Sequence, residues 1–367
     1  MKKFFLLAAM VGVALTGCMK NEVYVPKCDT PISFEVANYV AQTRAAAVNA
    51  GAFDYTSFGV NAWSRDAAAA TSVQMMTNET VTNTGSKWTT ATPYYWPING
   101  TVDFIAYYPT SVKPKIVYDY NGADTYTYDD YTVETVADGV DLMYADKAIR
   151  FSANNTTDAN GTNLGIGSYG FEGVPTLFRH ALAKINFKVQ NANPADDGGF
   201  TYEVIVKGIT LKIYNQGDVT LTNEGTATAS RGTWKLPTDN VWTPTDPATL
   251  ATLTWTGDVS LTNDTAVEYK GRTQYVLPQA LVAGKQNITV EYTVIQRQGT
   301  KEISRKTYTV NSYLADWNLD KWQMNKNITY TISIAKETTQ ILFAPAVEEW
   351  VDDESGSIVF ENEAEKH

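Results

Sequence analysis

Two short runs near the front of the chain hold residues whose type and spacing invite covalent chemistry. In Leu15-Thr16-Gly17-Cys18 a thiol follows small residues, directly after Lys2, Lys3 and the apolar stretch from Phe4 to Leu15. A basic start, a short apolar stretch and a small-residue ending make a secretory signal peptide, too short for a membrane span. The ending has the form of a bacterial lipobox, in which small side chains admit a peptidase to the bond before Cys18 and the Cys18 thiol takes a lipid anchor. The second run is Gln42-Thr43-Arg44-Ala45-Ala46-Ala47-Val48-Asn49-Ala50-Gly51. Its small residues and single basic side chain read as an exposed loop that a trypsin-like protease can cut between Arg44 and Ala45.

The rest of the chain is poor in reactive groups. Its two histidines are His180 and the terminal His367. A Ser-His-Asp site or a zinc site would therefore rest on His180 alone, inside the amphipathic run Phe178-Arg179-His180-Ala181-Leu182, where a structural histidine is the preferred reading. Gly-x-Ser-x-Gly, phosphate-loop and His-Glu-x-x-His patterns do not occur. Carboxylates cluster at Asp129-Asp130, Glu348-Glu349 and Asp352-Asp353-Glu354. A glycosidase needs two carboxylates facing one sugar bond, but these clusters read as solvated loops, and none has the spacing of a calcium loop. No catalytic residue, cofactor or metal is expected, so the chain reads as a non-enzyme. The net charge of -11 and pI near 4.8 argue against nucleic acid or an anionic membrane surface as a partner. Cys28 is the second and last cysteine. With Cys18 lipidated it has no partner in the chain, and the body must hold together by core burial alone.

The elements that position these features are strands. Val102 to Tyr108, Ala183 to Val189, Tyr202 to Val206, Ile209 to Tyr214, Asn287 to Gln296 and Asn327 to Ile334 are rich in β-branched and aromatic residues, and several alternate apolar with polar. Asn99-Gly100, Asn121-Gly122, Asp138-Gly139, Gly198-Gly199 and Thr256-Gly257-Asp258 punctuate them as turns. Short strands with hairpin turns and no crossover helices predict antiparallel sandwiches, an all-β class. The expected organisation is a signal peptide at 1–17, a lipidated propeptide at 18–44, an N-terminal β-sandwich at 45–175, a C-terminal one at 176–350 and a C-terminal segment at 351–367. The boundary falls in the polar stretch Ser152 to Gly173. Tyr94-Tyr95-Trp96 and Tyr107-Tyr108, among nine Trp and 22 Tyr, fit core filling better than a sugar-stacking platform.

The two ends of the chain resemble each other. Ile32-Ser33-Phe34-Glu35, continued by Val36, and Ile358-Val359-Phe360-Glu361 share an Ile-x-Phe-Glu order that sets Ile and Phe on one face of a strand. A cut after Arg44 would carry off Ile32, Phe34 and Val36 together with the lipid and Cys28. Loss of a core strand leaves apolar pockets and unpaired backbone groups, which a C-terminal strand bearing Ile358 and Phe360 from another copy can fill. Head-to-tail insertion does not close on itself, so it builds a filament. The cut removes Lys2, Lys3, Lys20, Lys27 and Arg44 against Glu22, Asp29 and Glu35, which takes the net charge from -11 to -13.

These motifs, with Tyr95-Trp96-Pro97, Val102-Asp103-Phe104-Ile105-Ala106-Tyr107-Tyr108-Pro109, Asp141-Leu142-Met143-Tyr144-Ala145, the run from Phe178 to Ile185, Tyr275-Val276-Leu277-Pro278-Gln279, the run from Asn327 to Ile332 and Phe343-Ala344-Pro345-Ala346-Val347-Glu348-Glu349-Trp350, resemble in their order the Bacteroidales fimbrillin family, the subunits of type V pili. The resemblance implies two tandem transthyretin-like β-sandwiches and export as a lipoprotein to the outer membrane. It also implies an arginine-specific cut at Arg44 and donor-strand polymerisation with other pilus subunits into an extracellular fimbrium that supports adhesion. A cleavable Arg44 argues against an anchor subunit, and the segment from Val351 to His367 favours a stalk over a tip. The alternative is a monomeric glycan-binding surface lipoprotein using Trp63, Trp88 or Trp96.

Overall fold

The computed structural model describes residues 31–39, 49–51, 53–69, 71–120, 123–135, 139–152, 173–223, 231–269, 274–335, 342–349 and 358–359. Apart from two short 3-10 turns, its regular elements are all strands, so the protein is all-β as the alternation predicts. The first part contributes β1 (Phe34–Tyr39), β2 (Asn49–Gly51), β3 (Ser57–Asp66), β4 (Val73–Asn83), β5 (Trp88–Thr90), β6 (Gly100–Tyr108), β7 (Lys115–Val117), β8 (Asp124–Thr132), β9 (Met143–Ala145), β10 (Lys147–Phe151) and β11 (Val174–His180). The second begins with β12 (Ala183–Asn191), β13 (Thr201–Ile213), β14 (Gln216–Asn223), β15 (Arg231–Gly232), β16 (Thr243–Pro244), β17 (Ala251–Leu261), β18 (Val267–Glu268) and β19 (Gln274–Val276). It ends with β20 (Gln279–Ala280), β21 (Asn287–Gln298), β22 (Lys301–Tyr313), β23 (Lys321–Trp322), β24 (Lys326–Ile334), β25 (Leu342–Glu349) and β26 (Ile358–Val359).

The first sheet runs β11-β9-β6-β3-β4-β5-β1-β2-β26, and β1 also pairs with β11, so the seven strands from β11 to β1 close into a ring. Inside it lie Phe58, Val60 and Ala62 from β3 and Val102, Phe104 and Ala106 from β6. The opposite faces of the same strands are buried too. Trp63, Ile105 and Tyr107 pack against Tyr126 and Tyr128 of β8 and Val219 and Leu221 of β14, in a second sheet ordered β16-β14-β8-β7. This double burial explains why Val102 to Tyr107 reads as an almost unbroken apolar run, with no polar face to mark its period.

The chain leaves the first sheet at Ala181-Leu182. Two further sheets, β18-β12-β24-β25 and β17-β13-β21-β22, then face each other across a core. Ile185, Phe187, Ile328 and Tyr330 fill it from one side and Val204, Leu211, Val290 and Tyr292 from the other. Tyr202 to Val206 and Ile209 to Tyr214, which read as two strands, form one strand, β13, with a bulge between Val206 and Gly208. The bulge inserts a residue, so the inward set shifts from Val204 and Val206 to Ile209 and Leu211. β22 is an exposed edge whose Lys301, Glu302, Arg305 and Lys306 discourage pairing with another chain.

Tyrosines fill much of this interior. Burial pushes Tyr107 and Tyr131 up to about 12 from the ordinary 10.0, and it raises Tyr126, Tyr128, Tyr144 and Tyr330 as well. A phenol whose pKa is raised by folding contributes stability that is full below pH 10 and is lost as pH rises through the folded value. Ultraviolet titration of tyrosinate is therefore expected to show these rings ionising together with unfolding between about pH 10 and 12. Independent ionisation of a folded protein near pH 10 would contradict it.

Candidate functional site

The site is built on β1. Ile32, Phe34 and Val36 alternate into the ring and are 2%, 4% and 5% exposed. The Phe34 ring meets Phe58 and Phe104 edge-on, with centroids 5.7 and 5.5 Å away. Such contacts fix the strand's register, because a slip of one residue would turn all three side chains out of the core.

Both long sides of β1 are hydrogen-bonded. On one side it runs parallel to β11, in register from Phe34 opposite Val174 to Asn38 opposite Phe178. The Val174 N–H donates to the Ser33 carbonyl at 2.8 Å. On the other side Phe34 pairs with Trp88 of β5, the Ile32 N–H donates to the Tyr94 carbonyl at 2.8 Å, and Asn38 and Tyr39 pair with β2. β1 is thus an interior stave, not an edge strand.

β11 has supports of its own. Arg179 donates from Nε and a terminal nitrogen to the two carboxylate oxygens of Asp146, at 2.7 and 3.0 Å. His180 Nδ1 lies 2.6 Å from Asp141 Oδ2, with both side chains buried. The end of β11 also pairs with β9, from Phe178 opposite Ala145 to His180 opposite Met143. Gly173, with φ +136°, lets the chain enter β11 against β1, since a Cβ there would come within 3.0 Å of the Phe34 carbonyl carbon and the Glu35 nitrogen. Gly173→Ala is expected to loosen this seam. Amide exchange should speed up along β1 and the start of β11 and stay unchanged along β13 and β21, and uniform change or none would contradict it.

The remaining candidates are placed unevenly. Ile358 begins β26, which pairs antiparallel with β2, Ala50 opposite Ile358 and Asn49 opposite Val359. Cys18, Arg44, Ala45 and Phe360 lie outside the described residues. Of the rings considered for sugar binding, Trp96 is 1% exposed inside the ring core, and Trp63 stacks on Tyr118 with centroids 4.5 Å apart. Trp88 is half-buried against Phe53 and Phe58. Trp96 and Trp63 are core residues, and Trp88 packs against the core from its rim. No group of three or more His, Cys, Asp or Glu placed to hold a metal occurs among the described residues. Sequence reasoning missed the partner of β1: Val174 to Phe178 give no local sign of receiving a strand from the front of the chain.

An all-β body of stacked sheets, with its N-terminal strand built into the wall of a closed ring, defines a β-sandwich protein organised around that strand. The chain belongs to the fimbrillin-like family, whose family model matches residues 43–350. The match begins just ahead of Arg44, so β1 and β26 both lie beyond it. Among solved structures, the chain is similar to a fimbrial protein from Bacteroides vulgatus ATCC 8482 at 17% identity, with 87% of this chain and 99% of that chain covered and a TM-score of 0.48. It is similar to the tip fimbrial protein of Porphyromonas gingivalis with C-terminal truncation at 10% identity, covering 83% and 98% with a TM-score of 0.35. The fimbrial anchor protein of Porphyromonas gingivalis matches at 12% identity, covering 87% and 98% with a TM-score of 0.29. No curated protein sequence matches the chain.

Proposed function

We propose that the protein is a pilus stalk subunit, exported as a lipoprotein through Cys18, released by an arginine-specific cut between Arg44 and Ala45, and polymerised by donor-strand exchange. The observation that carries this reading is the position of β1. Its residues lie upstream of Arg44, and its side chains fill the ring core from between two partner strands. Removing it would leave a slot lined by the Phe58 and Phe104 rings, with β11 still held by Asp146, Asp141 and β9. An apolar slot with unpaired backbone on both sides is a template for an incoming strand. Ile358 and Phe360, spaced like Ile32 and Phe34, supply one. Two sandwich domains, 45–175 and 176–350, are part of this reading, and β11, which spans their boundary, belongs to the first sheet. The cell outer membrane is then the place of the lipidated precursor, and the fimbrium that of the cut subunit.

The test is limited digestion of the purified precursor with an arginine-specific protease. One early cut after Arg44, followed by a ladder of oligomers, is the expected result, and Arg44→Ala should remain uncut and monomeric. Cut protein that stays monomeric on long incubation sinks the polymerisation step.

A further inference from the structure

Away from β1, three charged side chains from three strands meet in the interior. Lys147 of β10 places Nζ 2.6 Å from Asp124 Oδ2 of β8 and 3.1 Å from Asp103 Oδ2 of β6, with side-chain exposures of 3%, 0% and 3% in that order. The Tyr118 ring covers the amine at 4.7 Å, and its hydroxyl donates to Asp103 Oδ2 at 3.0 Å. The Arg150 N–H donates to Asp103 Oδ1 at 2.7 Å and the Asp119 N–H to Asp124 Oδ1 at 2.8 Å. Asp124 is therefore held by one oxygen, with the other against the amine.

Removing an ammonium and two carboxylates from water is costly. Burial raises the pKa of Asp124, against the lowering influence of Lys147. Once a proton passes from Lys147 to Asp124, an uncharged amine sits against an uncharged carboxyl in fixed orientation, which replaces a bimolecular encounter by an intramolecular one. Asp103 is within reach of the same nitrogen to carry protons.

We propose that Lys147 and Asp124 condense into an intramolecular isopeptide bond with Asp103 as the proton carrier. The Nζ lone pair bonds to Asp124 Cγ, and the carbonyl electrons move onto oxygen. Asp103 takes a proton from the nitrogen and passes it to the Asp124 hydroxyl. The C–O bond then breaks with its electron pair, the carbonyl re-forms, and one water leaves. The product is an amide, Asp103 ends as the carboxylate it began as, and nothing is oxidised or reduced. The bond would staple the first sheet, through β10, to the β8 sheet packed on its outer face. Both cysteines lie ahead of Arg44, so this tie would stand where no disulfide of the cut chain can. It does not depend on the pilus reading.

Trypsin digestion of the unfolded full-length protein tests it directly. No Lys or Arg lies between Ile116 and Asp146, so a free Lys147 releases the peptide from Ile116 to Lys147. A linked Lys147 cannot be cut, and the peptide from Ile116 to Arg150 should appear lighter by one water. Dehydration at Asp138-Gly139 would also remove a water but would leave Lys147 cleavable. Complete cleavage after Lys147 overturns the proposal. Asp103→Asn should slow the appearance of uncuttable Lys147 about a hundredfold. A variant linked as fast as the wild type would overturn the role of Asp103.

Discussion

Phe34→Ala is expected to lower the stability of the uncut precursor by about 3–5 kcal/mol. The Phe34 ring is nearly inaccessible and wedged edge-on between Phe58 and Phe104. Truncation therefore loses both the transfer of an aromatic side chain and its ring contacts, and leaves a cavity in a ring of paired strands that cannot collapse freely. Phe34→Asp should be worse, since a carboxylate among Phe58, Phe104 and Trp96 has no partner of opposite charge. Urea unfolding of the precursor measures both. The control is the protein after cutting behind Arg44, where the substituted residue has left with the propeptide and the difference from wild type should vanish. A penalty that survives the cut would mean that β1 stays in place.

The double substitution Ile358→Asp and Phe360→Asp is expected to abolish polymerisation of the cut subunit while its own slot stays able to accept a strand. If the C-terminal segment docks as β1 does, these two residues enter the pockets of Ile32 and Phe34. A carboxylate in either costs several kcal/mol against a strand held otherwise by main-chain hydrogen bonds. The cut variant alone should be monomeric. Mixed with cut wild type, it should shorten the ladder by capping chains at one end. A full ladder from the variant alone would exclude this segment as the donor.

The sequence conveyed the strands better than their partners. Ile32-Ser33-Phe34-Glu35-Val36 announces its buried face because its alternation is local, and the core receives all three apolar residues. Its parallel pairing with Val174 to Phe178 is invisible, because every strand from β2 to β10 intervenes and backbone pairing leaves no mark on side-chain type. The change of phase in β13 could be seen in the apolar pattern but read as a break, since a bulge and a turn both interrupt alternation. Charge was the least legible feature. Asp129-Asp130 stand out as a pair and lie exposed on β8. Asp103, Asp124 and Lys147 are single charges on separate strands, each ordinary in its own setting, and only the packing of the sheets brings them to one buried point.

The parallel pairing of β1 with β11 has a consequence for the order in which the molecule forms. Antiparallel neighbours such as β3 and β4 or β21 and β22 close short loops and can pair soon after they are made. β1 cannot, because its main partner ends at His180 and its pockets do not exist until β3 and β6 stand side by side. Among the strands of the ring, β1 is therefore made first and seated last. A strand that closes the wall only after the wall has formed can leave it without dismantling what was built before.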